Sequence, residues 1–257
     1  MNRTGLIIAL AIAVVVGVVF GLYPQLDLMI SAPFNAMVRN GYNFSPRIYP
    51  SLLLARDVGL WVGTAVIVPV VAALVLKLLL PRRRLLLPGR AILFLIATIA
   101  LGPGLVANVV LKDNWSRPRP IEVTQFGGPL HFVAWWDPRG ECDKNCSFVS
   151  GDVSGAFWTI APAALVPPPW RALAYGAALA LGAGMAALRI IMGGHFFSDA
   201  VFAGVFTFLI IWVVHGLIYR WPRTRLTDEA VERVIERFAR PGHDFIVSLL
   251  RKRKTEL

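Results

Sequence analysis

Residues 91–120 read AILFLIATIALGPGLVANVVLKDNWSRPRP. The first 21 of them carry no charge, and the next nine bring in Lys112, Asp113, Arg117 and Arg119. A helix crosses the ~30 Å hydrocarbon core with about 20 predominantly apolar residues, so residues 91–111 predict a spanning helix that stops at a polar edge. Charges cost free energy at membrane depth, so such an edge calls for a functional explanation.

Outward from this span lie five more apolar runs, at residues 5–23, 60–80, 153–166, 172–190 and 200–219. The chain is 56% hydrophobic and 16% charged, against about 25% charged in a soluble domain. The expected fold class is therefore all-α: a polytopic membrane protein, a six-transmembrane-helix bundle with amphipathic interfacial segments. Residues 1–220 form the membrane domain in this reading, with outer loops 24–57 and 112–150, and residues 221–257 form a basic amphipathic tail. The run 153–166 is short and ends at Pro167-Pro168-Pro169, so it reaches a usable length only by starting near Ser150. The first run is read as an uncleaved helix rather than a signal peptide. It exceeds the roughly 7–15 apolar residues of a signal core, and no convincing A-x-A site follows.

Lys and Arg placement sets the orientation. Of the 26 basic residues, 17 fall in the N-terminus, residues 77–90, Arg171 and the tail after Tyr219. Those regions are expected in the cytoplasm, and the two outer loops in the periplasm of a bacterial inner membrane. The net charge of +11 then reflects positive-inside anchoring and attraction to anionic lipid at the tail. No nucleic-acid-binding module is recognisable, so no nucleic-acid partner is expected.

Within 24–57, Leu26, Met29, Ile30, Phe34 and Met37 recur at helical spacing. They suggest an amphipathic interfacial piece, with a plain loop packed on the bundle as the alternative. Pro33 is placed to kink it, and Pro46 and Pro50 to break any helix further on. In the tail, Thr227-Asp228-Glu229 reads as a helix start, Val231, Val234, Ile235 and Phe238 as one apolar face, and Pro241-Gly242 as a stop. Phe245, Ile246, Leu249 and Leu250 then precede Arg251-Lys252-Arg253-Lys254, favouring a surface anchor over a partner-binding helix. Cys142 and Cys146 are expected to pair as a disulfide on an oxidising face; a zinc site is the rival, without a second ligand pair nearby. Trp135 and Trp136 fit an interfacial aromatic belt.

Three polar patches share the outer side: Lys112 through Pro120, Ser150-Gly151-Asp152, and Arg189 through His195 to Asp199. Moving a phosphoryl group requires neutralising charge on its non-bridging oxygens. Lys112, Arg119 and Arg189 offer cations for this. Ser150 and Gly151, at a helix N-terminus, offer backbone N–H groups and a hydroxyl. A neutral His195 can attack phosphorus if its other ring nitrogen is held. Asp199 lies one helical turn on and is read as the residue that orients it.

These patches resemble the three motifs of the type 2 phosphatidic acid phosphatase superfamily. Lys112 to Arg119-Pro120 fits K-x6-R-P, Ser150-Gly151 sits where P-S-G-H belongs, and Arg189 to His195 to Asp199 fits R-x5-H-x3-D. The resemblance covers roughly residues 90–220. It implies a six-helix bundle and dephosphorylation through a phosphohistidine without metal or cofactor. By that resemblance Lys112, Arg119, Ser150, Gly151 and Arg189 bind phosphate, His195 is the nucleophile, and Asp199 orients it.

Val149 replaces the motif Pro, Leu188 the Ser before Arg189, and Asp152 the second-motif His, which in the family is the general acid for the leaving oxygen. Two readings of Asp152 stay open. It acts as acid or water-orienting base, or the leaving group needs little protonation and Asp152 mainly positions cations. The second reading, with the segment from Ser147 to Asp152, gives a resemblance to the bacterial lipid A 1-phosphatase branch. The implied activity is removal of a lipid phosphate, the 1-phosphate of lipid A, at the periplasmic face. Undecaprenyl diphosphate, phosphatidylglycerophosphate and phosphatidate remain alternative substrates. Arg117 either contacts a second phosphate or sits at the interface. A lipid phosphotransferase on the same scaffold and a non-catalytic lipid-binding or transport protein are the competing functions.

Overall fold

The computed structural model describes residues 1–39 and 49–255, with side chains described for 1–35 and 49–245. The expectation at Pro46 and the side chain of Met37 lie outside the described residues. The helices run in chain order as α1 (Arg3–Leu22), α2 (Gln25–Arg39), α3 (Pro50–Leu79), α4 (Gly89–Ile99), α5 (Gly151–Trp158), α6 (Ile160–Leu165), α7 (Pro168–Ile191), α8 (Phe197–His215) and α9 (Asp228–Thr255). α4 continues as a π-helix over Ala100–Lys112, and α8 over Gly216–Arg220. Among the described residues, five helical stretches are long and apolar enough to cross a bilayer: α1, α3, α4 with its continuation, α7, and α8 with its continuation. In lipid a helix satisfies its backbone polar groups within itself, which is why such apolar runs become helices.

The remaining expected crossing is the pair α5 and α6, which is short and broken at Thr159. Pro162 has no N–H to give the preceding turn, and the Thr159 hydroxyl donates back to the Ala156 carbonyl at 2.6 Å. In the α4 continuation, Pro103 leaves carbonyls unpaired in the turn around it. The Asn108 side-chain amide donates to the Pro103 carbonyl at 2.7 Å, and Asn114 donates to the Val109 and Val110 carbonyls at the helix end.

Two prolines act differently from expectation. Pro50 opens α3 instead of breaking a helix, since the first turn needs no N–H from it. The helix therefore starts ten residues before the apolar run and carries Arg56. Pro241 lies inside α9, which continues through it to Thr255.

The chain divides into two compact units, residues 1–63 with 98–213, and residues 64–97 with 214–257. The first contains an aromatic cluster in which Trp135 lies tilted against Phe202 with ring centroids 4.4 Å apart and Phe148 packs beside both. Trp135 is thus a packing residue that donates to the Gly17 carbonyl, whereas Trp136 is exposed. In the second unit, Lys77 is buried and donates to Glu232 at 2.7 Å and Glu236 at 2.6 Å, while Arg90 pairs with Asp228 at 2.9 Å. These contacts fix α9 against the 77–90 segment. Val231 and Ile235 turn inward toward Leu74 and Ile92, and Phe238 is 80% exposed, so the expected single apolar face is split between two sides of the helix.

Candidate active site

The site belongs to the first unit and is assembled by pairing two loop segments. Backbone N–H groups of Cys142, Cys146 and Ser147 donate to the carbonyls of Ser116, Lys112 and Arg117 at 3.1, 2.9 and 2.7 Å. This ties the segment after α4 to the segment before α5. A disulfide joins Cys142 to Cys146, with Cα atoms 5.8 Å apart, in the second of these segments.

Ser150 caps α5 by accepting the Val153 N–H at 3.4 Å. Gly151 follows it, and a Cβ there would collide with the Asn108 side chain. Arg189 ends α7 and is nearly buried. At Gly194 a Cβ would lie 2.5 Å from the Arg189 guanidinium, so a glycine is required for that group to lie against the backbone beside His195.

His195 is 1% exposed, and its Nδ1 lies 2.6 Å from the Ser147 carbonyl oxygen. A carbonyl can only accept, so Nδ1 carries the proton and Nε2 keeps its lone pair. Nε2 makes no hydrogen bond among the described residues. Burial, then the positive charges of Arg189 and Arg119, hold the imidazole well below its ordinary value; the Ser147 carbonyl opposes them only in part. The ring is therefore neutral and nucleophilic at physiological pH.

Among the described residues no hydrogen bond joins Asp199 to His195; Ser147 lies between them. The Asp199 carboxylate accepts from Ser147 Oγ at 2.5 Å, the Phe196 N–H at 2.9 Å, and Arg117 Nη1. Ser147 thus donates its hydroxyl to Asp199 and offers its carbonyl to His195 Nδ1. Arg117, expected either at a second phosphate or at the interface, has protein partners on all three of its side-chain nitrogens. It is fully buried, donating from Nε to the Val133 carbonyl, from Nη1 to Ser198 Oγ and Asp199, and from Nη2 to Asp27 at 2.8 Å. Its guanidinium also stacks over the Phe196 ring at 4.5 Å. Every donor group points into protein.

Arg119 donates to the Asn145 carbonyl from Nε and Nη2. Lys112 lies within electrostatic reach of Arg119, Asp152 and Arg189, and its side chain makes no hydrogen bond or ion pair among the described residues. Three cations therefore converge beside a neutral imidazole. Asp152 sits 2.7 Å from Arg56 Nε and 3.3 Å from Arg189 Nε. Burial alone would raise its carboxyl, but Arg56, Arg189 and Lys112 outweigh that and hold it below the ordinary carboxylate value. An ionised Asp152 is a poor proton donor near neutrality. Among the described residues no group of three or more His, Cys, Asp or Glu is arranged as a metal site.

Two residues escape sequence reasoning. Arg56 falls in the expected outer loop 24–57, whereas the structure places it in α3. Asp27 sits on the polar side of α2, and its buried partners, Arg117 and Ser198, are 90 and 171 residues away. The helical spacing of Asp27, Ser31 and Asn35, all buried, was the available signal.

Comparison with known proteins adds a family. Residues 90–224 match the PAP2 superfamily. The chain is similar to a lipid A 4′-phosphatase of Francisella tularensis subsp. novicida (strain U112), 46% identical over 132 residues, 51% of this chain and 60% of the relative. It is similar to lipid A 4′-phosphatases of Rhizobium leguminosarum, 41% identical over 41% of this chain and 46% of the relative, and of Rhizobium etli, 38% identical over 40% of each. The chain thus spans about half the length of these curated relatives. No solved structure matches it. The match runs from the start of α4 through the end of α8 and takes in all three polar patches, with Lys112, Arg119, Asp152, Arg189, His195 and Asp199; the chain belongs to the PAP2 superfamily.

Proposed function

We propose that the chain is a membrane lipid phosphatase that uses His195 as its nucleophile and acts on phosphorylated lipid A at the 4′-position. The observation that carries the reaction is the His195 ring, with Nδ1–H committed to Ser147 and Nε2 uncommitted beside Lys112, Arg119 and Arg189. The Nε2 lone pair attacks phosphorus, the bond from phosphorus to the lipid oxygen breaks, and that oxygen takes up a proton. Water then attacks the phosphohistidine, the N–P bond breaks, and inorganic phosphate leaves with the imidazole restored. The cations stabilise charge on the phosphoryl oxygens throughout.

The names of the similar proteins support the 4′-phosphate. In this reading the leaving oxygen draws its proton from a donor other than Asp152. The chemistry of Asp152 favours a second reading, the anomeric 1-phosphate. An anomeric oxygen leaves more readily, and Asp152 is held ionised by its cations. The Lys and Arg distribution supports a periplasm-facing site with cytoplasmic termini in a bacterial inner membrane. The exposed Phe238 and Phe245 beside a basic tail support α9 lying on an anionic leaflet.

The test is phosphate release from purified protein with lipid A bearing both phosphates, followed by mass spectrometry to locate the one that is lost. His195→Ala should reduce the rate on the order of 10⁴-fold or more, and no labelled phosphate should stay on that variant. Strong activity without His195 refutes the mechanism, and exclusive loss of the 1-phosphate selects the second reading.

A further inference from the structure

The polar stripe of α2 has no part in the phosphate cradle, yet Asp27, Ser31 and Asn35 are buried. Asp27 is fully enclosed, and its carboxylate has two connections toward the nucleophile. One runs to the start of α8: Oδ1 accepts the Ser198 N–H at 3.0 Å, and Oδ2 accepts Ser198 Oγ at 2.6 Å. The other runs through Arg117, whose Nη2 donates to Asp27 Oδ2 at 2.8 Å while its Nη1 donates to Asp199. Asp199 accepts the Ser147 hydroxyl, and the Ser147 carbonyl holds His195 Nδ1–H.

We infer that Asp27 is a positioning residue for the phosphoryl-transfer reaction, fixing Arg117 and the first turn of α8 so that Asp199 and Ser147 hold His195 in its attacking tautomer. The inference rests on the reading of His195 as nucleophile. Its physical basis is the pairing of three enclosed charges. Arg117 lies between two carboxylates, and its Nη2 donates to Asp27 while its Nη1 donates to Asp199. If Asp27 is made neutral, Arg117 is drawn toward Asp199 alone. Asp199 must then share its oxygens differently, and Ser147, whose own carbonyl holds the ring, moves with it. The hydrogen bonds of the Asp27 carboxylate go to Arg117 and Ser198, neither of which is among the cations assigned to phosphate, Lys112, Arg119 and Arg189. The effect should therefore fall on turnover, not on ground-state binding.

The experiment uses the full chain in detergent micelles, with lipid A as substrate and inorganic phosphate as competitive inhibitor. Asp27→Asn should lower kcat about 10- to 100-fold with KM and the phosphate Ki within about twofold of the parent. Asp27→Glu, which keeps the charge, should recover part of kcat. Parental kcat in folded Asp27→Asn overturns the inference. So does a variant in which kcat, KM and Ki fail together, since that marks a purely structural role. If Asp27→Asn does not fold, Asp27→Glu decides: reduced kcat with unchanged Ki supports the inference, and parental kcat or failure to fold overturns it. His195→Ala is assayed in parallel. Activity there removes the nucleophile reading itself, whereas an inactive His195→Ala beside a fully active Asp27→Asn removes only the inference about Asp27.

Discussion

Asp152 lies between two guanidinium groups, at 2.7 Å from Arg56 and 3.3 Å from Arg189. The same cations hold its carboxyl below the ordinary carboxylate value. Arg56→Gln would leave Asp152 with Arg189 and Lys112, and Asp152→Asn would remove the carboxylate shared by the two guanidiniums, leaving Arg56 paired with Asp57 at 3.3 Å. Each single variant should lower kcat/KM about tenfold, and the double variant should be no worse than the poorer single, because both break one unit. Strictly additive losses would show that the pair does not act together. His195 makes a separate prediction at this scale. Since burial, Arg189 and Arg119 hold its imidazole well below the ordinary value, the protonated and inactive form should accumulate only below about pH 6.5. The acid limb of kcat/KM should lie under that value. Lys112→Met removes a nearby positive charge, so it should move the limb upward in whatever activity remains. A limb at or above 6.5 in the parent would count against a pre-neutralised nucleophile. The three motifs were legible because their spacing is local in sequence. Arg56 and Asp27 were not, because their meaning depends on partners 96 and 90 residues away.

α2 and α9 share an inverted arrangement. Reading an amphipathic helix usually sets its polar face outward, which holds where water is outside. Here Asp27, Ser31 and Asn35 of α2 are buried while Met29 is 66% exposed. On α9, Asp228, Glu232 and Glu236 engage Arg90 and Lys77 while Phe238 and Phe245 face out. With lipid as the surrounding solvent, acids are better placed against a buried cation. The periodicity of both helices was legible, but the side each face takes was not, since it depends on cations elsewhere in the fold. In α9 the Glu232 carboxyl is held below its ordinary value, first by the Lys77 hydrogen bond, against an opposing push from burial. That contribution is present above the unfolded value near 4.3 and is lost as pH falls through the folded one. Replacing Glu232 and Glu236 together by Gln strands the Lys77 charge. The cost should be about 1–3 kcal/mol, kept modest because the two acids are partly exposed. Thermal unfolding in detergent should then begin several degrees lower. An unchanged transition would mean that α9 is held by its apolar contacts alone.

For the molecule as a whole, composition and charge were enough to expect a helical membrane bundle, because long apolar runs leave the backbone few other solutions in lipid. The irregularities were harder to read. Pro50 opens a helix, Pro162 and Thr159 divide one, and Pro241 interrupts none. The same residue type has three outcomes, and only at Pro50, in a first turn, does the missing N–H have no intrahelical partner to lose. Orientation rests on Lys and Arg placement and has its own test. Arg139, in the loop that carries the disulfide, and Arg82, between α3 and α4, both have well-exposed side chains. In a Cys142→Ser, Cys146→Ser background, Arg139→Cys and Arg82→Cys each present one thiol. A membrane-impermeant thiol reagent added to intact spheroplasts should label Arg139→Cys at once and leave Arg82→Cys unmodified until the cells are lysed. The excess of Lys and Arg at residues 77–90 and in the tail predicts this order, and a disulfide between Cys142 and Cys146 favours an oxidising side for residue 139. The reverse pattern would put the phosphate cradle in the cytoplasm and remove any substrate confined to the outer face. Equal labelling before and after lysis at both positions would instead mean that residues 82 and 139 share one side, so that an odd number of crossings could not lie between them.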